Sequence, residues 1–206
     1  MRFLRNNGKL LSPVFLFPLF FLSLDRTVIL WIRGVHIDNA HAYAMLRYLD
    51  PLVDFSAHGA TLIAGALLLC LVGRFLEPRL YDAGRTLFVG LVSAGISVQV
   101  LKHLIGRARP RLTDESVFIG PSLKNGYDSF PSGHTTLVFC LACILSQYFP
   151  RYRTPLYLFA LVVSLERIED LAHFPSDVIA GALVGLLVGK ILLLKAPCPG
   201  ADRYAG

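Results

Sequence analysis

Charge is scarce in this chain of 206 residues: Lys, Arg, Asp and Glu make up only 17% of it, against 54% hydrophobic residues. A soluble domain of that length needs more polar surface, so the composition excludes one and points to a membrane protein. Cysteine is also sparse. Cys70, Cys140 and Cys143 lie inside apolar runs and Cys198 in a short Pro/Gly-containing tail. None has metal-site spacing with histidine, so the four read as small buried hydrophobes rather than a disulfide framework. No acidic cluster or H-E-x-x-H pattern accompanies the histidines, and neither a metal nor another cofactor is expected. The N-terminal stretch has a basic start and an apolar continuation but no small-residue cleavage site. It reads as a retained first span, not a signal peptide. No internal repeat or low-complexity segment divides the chain, which is one domain's worth of residues, 1–206.

What the chain does have is apolar runs. A bilayer core takes roughly 20 residues of helix, and candidates fall near 10–30, 56–76, 86–106, 132–149, 154–167 and 176–194. The expected fold is therefore all-α, a polytopic bundle of about six transmembrane helices. The fifth run is short, and Asp25 and Arg26 suggest that the first stops around Leu24. Segment 36–55 is richer in His, Asp and Arg, with Ala42, Met45, Leu46 and Leu49 at helical spacing before Pro51. It reads as a helix lying at the membrane interface or as an ordinary loop.

The net charge is +6. Basic residues are too dispersed for a nucleic-acid footprint, but they fit membrane loops. Arg2, Arg5, Lys9, Arg74, Arg79, Arg85, Arg151, Arg153, Lys190, Lys195 and Arg203 fall on one side of a six-span arrangement. The excess of Lys and Arg on cytoplasmic loops then places both termini in the cytoplasm. Segment 107–131 lies on the other side and is basic too, with Arg107, Arg109, Arg111 and Lys124. An anionic ligand would explain that exception. Within it, Gly120-Pro121 through Gly126-Tyr127 reads as a mobile surface loop.

Three blocks carry chemistry, and the topology brings all three to that second face. Lys102 and Arg109, with Pro110, end the third span. Each cation is suited to phosphate, but taken alone each is better explained by snorkelling to the interface. Pro131-Ser132-Gly133-His134 opens the fourth span, where free backbone N–H groups favour an anion. Ser132 can cap that helix and donate its hydroxyl; capping alone would also explain it. Arg167, His173 and Asp177 join the fifth span to the sixth. His173 and Asp177 are one helical turn apart, so the carboxylate can fix the tautomer and expose the other ring nitrogen, unless the helix begins too late to bring them together. A lone His–Asp pair is more often structural. The convergence of two histidines, three cations and a helix N-terminus is what an anion site with a nucleophile and a proton donor requires.

The three blocks resemble the signature of the type-2 phosphatidic acid phosphatase superfamily, which also includes vanadium haloperoxidases. Its pattern is K-x6-R-P, P-S-G-H and S-R-x5-H-x3-D, and the match spans 102–177. Glu166 stands where the family usually has Ser. The resemblance implies a metal-independent membrane lipid phosphatase. His173 would attack phosphorus to form a phosphohistidine, and Asp177 would orient it. His134 would protonate the leaving oxygen and then activate water. Lys102, Arg109, Arg167, Ser132 and the Gly133 N–H would hold the phosphate oxygens. The partners implied are the bilayer and a phosphorylated lipid, with no nucleic acid and no obligatory protein partner. Undecaprenyl diphosphate, phosphatidylglycerol phosphate, phosphatidic acid and lipid A phosphate are the candidates, and Lys124, Glu169 and Asp170 could touch a head group or be solvated loop charges. The expected location is a bacterial inner membrane with the site facing the periplasm or exterior. A phosphotransferase acting on an acceptor lipid is the alternative. A transporter fits less well, because it would show repeat symmetry and charges near the bilayer middle.

Overall fold

The computed structural model describes residues 22–48 and 50–195. Most of the first expected span lies outside the described residues, as do Arg2, Arg5, Lys9, Leu49, Cys198 and Arg203. Among the described residues the chain is helical, with one isolated bridge between Arg107 and Phe118. Helix α1 covers 22–38. The short helices α2 (Ala40–Leu46) and α3 (Asp50–Ala57) follow, then α4 (Gly59–Leu76), α5 (Pro78–Ile105), α6 (Gly133–Tyr148), α7 (Arg153–Glu169) and α8 (Pro175–Lys195).

Helices α4, α5 and α8 are long and apolar enough to cross a membrane. Their outward faces carry exposed apolar side chains such as Leu68, Phe75, Leu104 and Ile191. In water such faces would be a liability, whereas in lipid they are the solvent-facing surface. Helices α6 and α7 have 16 and 17 residues, close to the lengths expected from their runs. Helix α5 starts eight residues before the run that announced it, because Pro78 occupies its first turn, where a missing N–H costs nothing. The segment expected at the interface is two short helices rather than one.

One expectation fails at α1. The chain does not leave the helix at Leu24 but continues through Asp25 to residue 38. The carboxylate that seemed to mark an end is fully buried and paired with Arg107.

Packing rests on small residues. Lipid is as apolar as leucine, so helices associate through close van der Waals contact rather than by exclusion from water. A Cβ on Gly181 would lie 2.6 Å from the Ser132 carbonyl oxygen, and one on Gly185 would lie 2.2 Å from that of Thr136. These two glycines therefore let α8 sit directly on the start of α6. Leu87, Leu91, Val138, Ile144 and Val163 fill the core between α5, α6 and α7. Helices α5 and α7 end, and α6 and α8 begin, at the same end of the bundle. That shared end receives all three sequence blocks.

Candidate active site

Two turns aim the site residues. Gly106 ends α5 in the left-handed region (φ 60°), with its N–H bonded to the Lys102 carbonyl at 2.9 Å. A Cβ there would lie 1.9 Å from the Gly120 oxygen. Only glycine fits, and the turn sends Arg107 and Arg109 back across the bundle end. The 107–131 segment was expected to carry a mobile loop. Instead Ser122 N–H bonds His103 O and Arg109 N–H bonds Gly126 O, both at 2.9 Å, which ties the loop down at both ends. Between α7 and α8, Leu171 takes φ 54°, a conformation costly for a branched side chain. It returns the chain so that Ala172 and His173 N–H both bond the Arg167 carbonyl.

A cavity of about 910 Å³ opens at this end, and Lys102, Arg109, Gly133, His134, Arg167 and His173 all line it. Toward the bundle interior its walls become apolar, formed by Ile63, Leu91, Val92, Ile96 and Leu137 from α4, α5 and α6. Ser132 does not line it. Ser132 is the N-cap residue of α6 but makes no side-chain cap. Its hydroxyl accepts from Thr135 at 3.1 Å, its N–H bonds the Asp177 carbonyl at 3.0 Å, and it is fully buried. Close approach of α8 at Gly181 accounts for that burial, and the bond accepted from Thr135 leaves the Ser132 hydroxyl's own proton free to donate.

Helix α8 begins at Pro175, early enough for the His173–Asp177 pair to meet. Nδ1 of His173 lies 3.7 Å from Asp177 Oδ2, beyond a direct hydrogen bond. Ser129, which the sequence did not single out, stands beside both. Its hydroxyl donates to Asp177 Oδ2 at 2.5 Å and lies 3.5 Å from His173 Nδ1. Phe174 N–H donates to the same carboxylate oxygen at 2.8 Å. With the Nδ1 edge turned to this group, the Nε2 edge is left for the cavity. Burial pushes the His173 imidazole down to about 4; Asp177 opposes the shift, and Lys102 and Arg109 add to it.

Arg107 is the largest surprise. Counted from the sequence as one of several loop cations, it is fully buried, forking between two carboxylates. It donates to Asp177 Oδ1 through Nη1 and to Asp25 Oδ2 through Nη2, the latter at 2.6 Å. Its guanidinium carbon lies 4.1 Å from the centre of the Phe174 ring. The one usable signal was Asp25 itself, a carboxylate within an apolar run.

On the cavity side the two arginines hold carboxylates and the lysine a main-chain carbonyl. Arg109 binds Asp128 in a bidentate fork, at 2.9 and 2.7 Å, and Lys102 Nζ donates to the Asp128 carbonyl at 2.6 Å. Burial would raise the Asp128 carboxyl, but the Arg109 bonds and the charges of Arg109 and Lys102 outweigh it and hold it below its ordinary value. Arg167 is held through Nε and Nη2 by Glu166, and its Nη1 donates to Asp54 of α3 at 2.9 Å. Asp54 Oδ1 also lies 3.3 Å from His134 Nε2, though without hydrogen-bond geometry. Arg111, at the rim, is paired with Asp170. Of the possible head-group contacts, Lys124 lies over the Tyr127 ring and Glu169 meets His36 at 3.1 Å. Among the described residues no group of three or more His, Cys, Asp or Glu is placed to hold a metal ion.

Comparison with known proteins agrees with this geometry. The chain is 31% identical over 197 residues to a lipid A 1-phosphatase of Rhizobium johnstonii, covering 88% of this chain and 81% of that one. It is 38% identical over 105 residues to a lipid A 1-phosphatase of Rhizobium etli, covering 50% and 45%. The crystal structure of a transmembrane PAP2 type phosphatidylglycerolphosphate phosphatase from Bacillus subtilis shares the fold, with a TM-score of 0.52 at 22% identity over 95% of this chain and 96% of that one. The model of the PAP2 superfamily matches residues 83–197, a stretch that contains all three sequence blocks. By that match and by the similarity along nearly its whole length to the first relative, this integral membrane chain belongs to the PAP2 superfamily.

Proposed function

We propose that this protein is a metal-independent lipid phosphatase that removes the 1-phosphate of lipid A, or of a closely similar phosphorylated lipid, at the non-cytoplasmic face of a bacterial inner membrane. The observation that carries this reading is the cavity, which is cationic at the bundle end and apolar toward the interior. Such a shape suits one molecule with a phosphate head and a membrane-anchored tail. The relatives' names favour lipid A within that class.

In the proposed mechanism the substrate phosphate displaces Asp128 and Asp54 from Arg109, Lys102 and Arg167, and the Gly133 N–H at the start of α6 adds a donor. His173 Nε2 attacks phosphorus, forming an N–P bond as the ester P–O bond breaks. His134, beside the leaving oxygen, gives its proton to it. Water then attacks the phosphohistidine, loses a proton to His134 and releases inorganic phosphate. The N–P bond electrons return to His173. Charge on the transferring phosphoryl is met by fixed guanidinium and ammonium groups, which is the larger part of catalysis in this chemistry. Helices α1 and α4–α8 are the six spans of this arrangement, with Arg74, Arg79, Arg151 and Arg153 at the cytoplasmic end. The hydroxyl of Ser132 accepts from Thr135 and keeps its own proton, which it would offer to a phosphate oxygen beside Gly133.

The test is a panel of phosphorylated lipids offered to purified protein in detergent, scoring free phosphate and any phosphorylated acceptor. Release from lipid A with chelator present is the expected result. His173→Ala should cut the rate by a factor on the order of 1,000 or more while the protein still inserts. Near-normal activity in that variant would refute the nucleophile assignment, and label in an acceptor lipid would mark a phosphotransferase.

A further inference from the structure

Asp25 lies on α1, 82 residues from Arg107 and 151 from Ser176, and outside the stretch that the family model matches. It is fully buried, yet it accepts three hydrogen bonds: from Arg107 Nη2 at 2.6 Å, Ser176 N–H at 3.0 Å and Ser176 Oγ at 2.5 Å. Arg107 Nη1 reaches the other way, to Asp177 Oδ1. The result is a buried row, Asp25–Arg107–Asp177–His173, that runs from the first described helix to the ring facing the cavity. We propose, resting on the reading of His173 as nucleophile, that Asp25 is a positioning residue of this site: through Arg107 it sets the negative charge that Asp177 presents to His173.

Charge counting gives the reason. Two carboxylates and one guanidinium leave one net negative charge beside the imidazole. When Nε2 takes the phosphoryl group the ring becomes cationic, and that negative charge stabilises it. Without the Asp25 charge, Arg107 would act on Asp177 alone and the buried group would be neutral. Asp177 would remain in place but would be a weaker partner for the developing imidazolium. Asp25 touches no cavity wall, so its effect belongs on the chemical step and not on substrate binding.

The other charged groups around His173 are Lys102 on α5, Arg109 and Asp128 in the following loop, His134 on α6 and Arg167 on α7. All are left intact by the test. Wild type, Asp25→Asn, Asp25→Asn/Arg107→Gln and His173→Ala would be assayed for phosphate release from lipid A micelles, with thermal midpoints recorded in detergent. The double variant removes the Arg107 charge together with that of Asp25 and so restores one net negative charge, and the thermal midpoints register the packing lost with the shorter Gln side chain. Asp25→Asn is expected to lower kcat about tenfold with KM little changed, and to move the acid limb of kcat/KM to lower pH. The double variant is expected to regain most of the lost kcat. If Asp25→Asn does not fold, the double variant alone decides. A double variant no better than the single, or one that does not fold, would overturn the proposal, as would Asp25→Asn with wild-type kcat and pH profile, because the role would then be structural. Wild-type activity in His173→Ala would instead remove the nucleophile reading on which it rests.

Discussion

The two sides of His173 are built on opposite principles. Behind the ring, the side chains of Asp25, Arg107 and Asp177 are 0% exposed, and apart from Arg107 Nε their polar atoms have protein partners. In front of it, Arg109 and Arg167 hold Asp128 and Asp54, whose side chains are 38% and 50% exposed. A buried charged pair is hard to break, because the partner left behind has no water to turn to; loss of one member costs about 3–5 kcal/mol. A partly exposed pair contributes about 0–1 kcal/mol and exchanges readily. The rear side can therefore hold an imidazole in one orientation through a reaction cycle. The front side can release Asp128 and Asp54 each time a phosphate arrives, while the nearly buried Glu166 stays on Arg167.

The sharpest way to break this comparison is at Asp177. Asp177→Asn preserves shape and one acceptor but removes the charge behind the ring and leaves Arg107 with Asp25 alone. A fall in kcat of about 100–1,000-fold is expected, with inserted protein still recoverable. Steady-state kinetics on the lipid that the wild type cleaves best would measure it. A change under tenfold would mean that the rear row is scaffolding and contributes little to the chemistry.

A smaller effect distinguishes the two sides by pH. Burial first, with Lys102 and Arg109 behind it, sets His173 at about 4 against an ordinary 6.5. The folded protein thus binds this proton less readily than the unfolded chain does. The contribution to stability is present above 6.5 and is lost as pH falls from there toward 4, by an amount on the order of 3 kcal/mol. Thermal midpoints in detergent at pH 7 and pH 4.5 should therefore fall further in wild type than in His173→Gln, which carries no titrating ring. Equal losses would show that the ring is not held neutral by its surroundings.

How much of this could be read beforehand divides along the same line. Lys102, Arg109, Gly133, His134, Arg167 and His173 were legible because their spacing is local: each block sits at a helix end, and alternating helices bring the ends together. Asp177 was legible on the same ground, one helical turn from His173, but Asp25, Asp54 and Asp128 were not. Asp54 reaches Arg167 across 113 residues and Asp25 reaches Ser176 across 151, distances at which no periodicity survives. Arg107 was hidden among its basic neighbours, although the buried Asp25 in an apolar run should have prompted a search for its partner. Ser132 was placed correctly as the N-cap residue, but its burial beneath α8 comes from packing at Gly181 that no local spacing shows. The helices at 56–76, 132–149 and 176–194 were found to within three residues, since apolar length alone marks them. Pro51 marks the first turn of α3, whereas the break between α2 and α3 had no comparable signal.

The gentlest probe acts on the front side alone. Asp128→Asn would keep the backbone carbonyl that receives Lys102 and one amide oxygen for Arg109, but would remove the charge that substrate must displace. A dianionic phosphate then competes with a neutral amide instead of a carboxylate. If the front carboxylates are placeholders, KM falls about three- to tenfold, the equivalent of roughly 1 kcal/mol, and inhibition by vanadate or inorganic phosphate tightens in parallel. The rear row is untouched, so kcat should stay within a factor of about two. The contrary result is equally clear. A rise in KM would mean that Asp128 aligns Arg109 and Lys102 for the substrate and does not merely occupy them. The front side would then be as preorganised as the rear, and the contrast between a fixed nucleophile and exchangeable cations would fail.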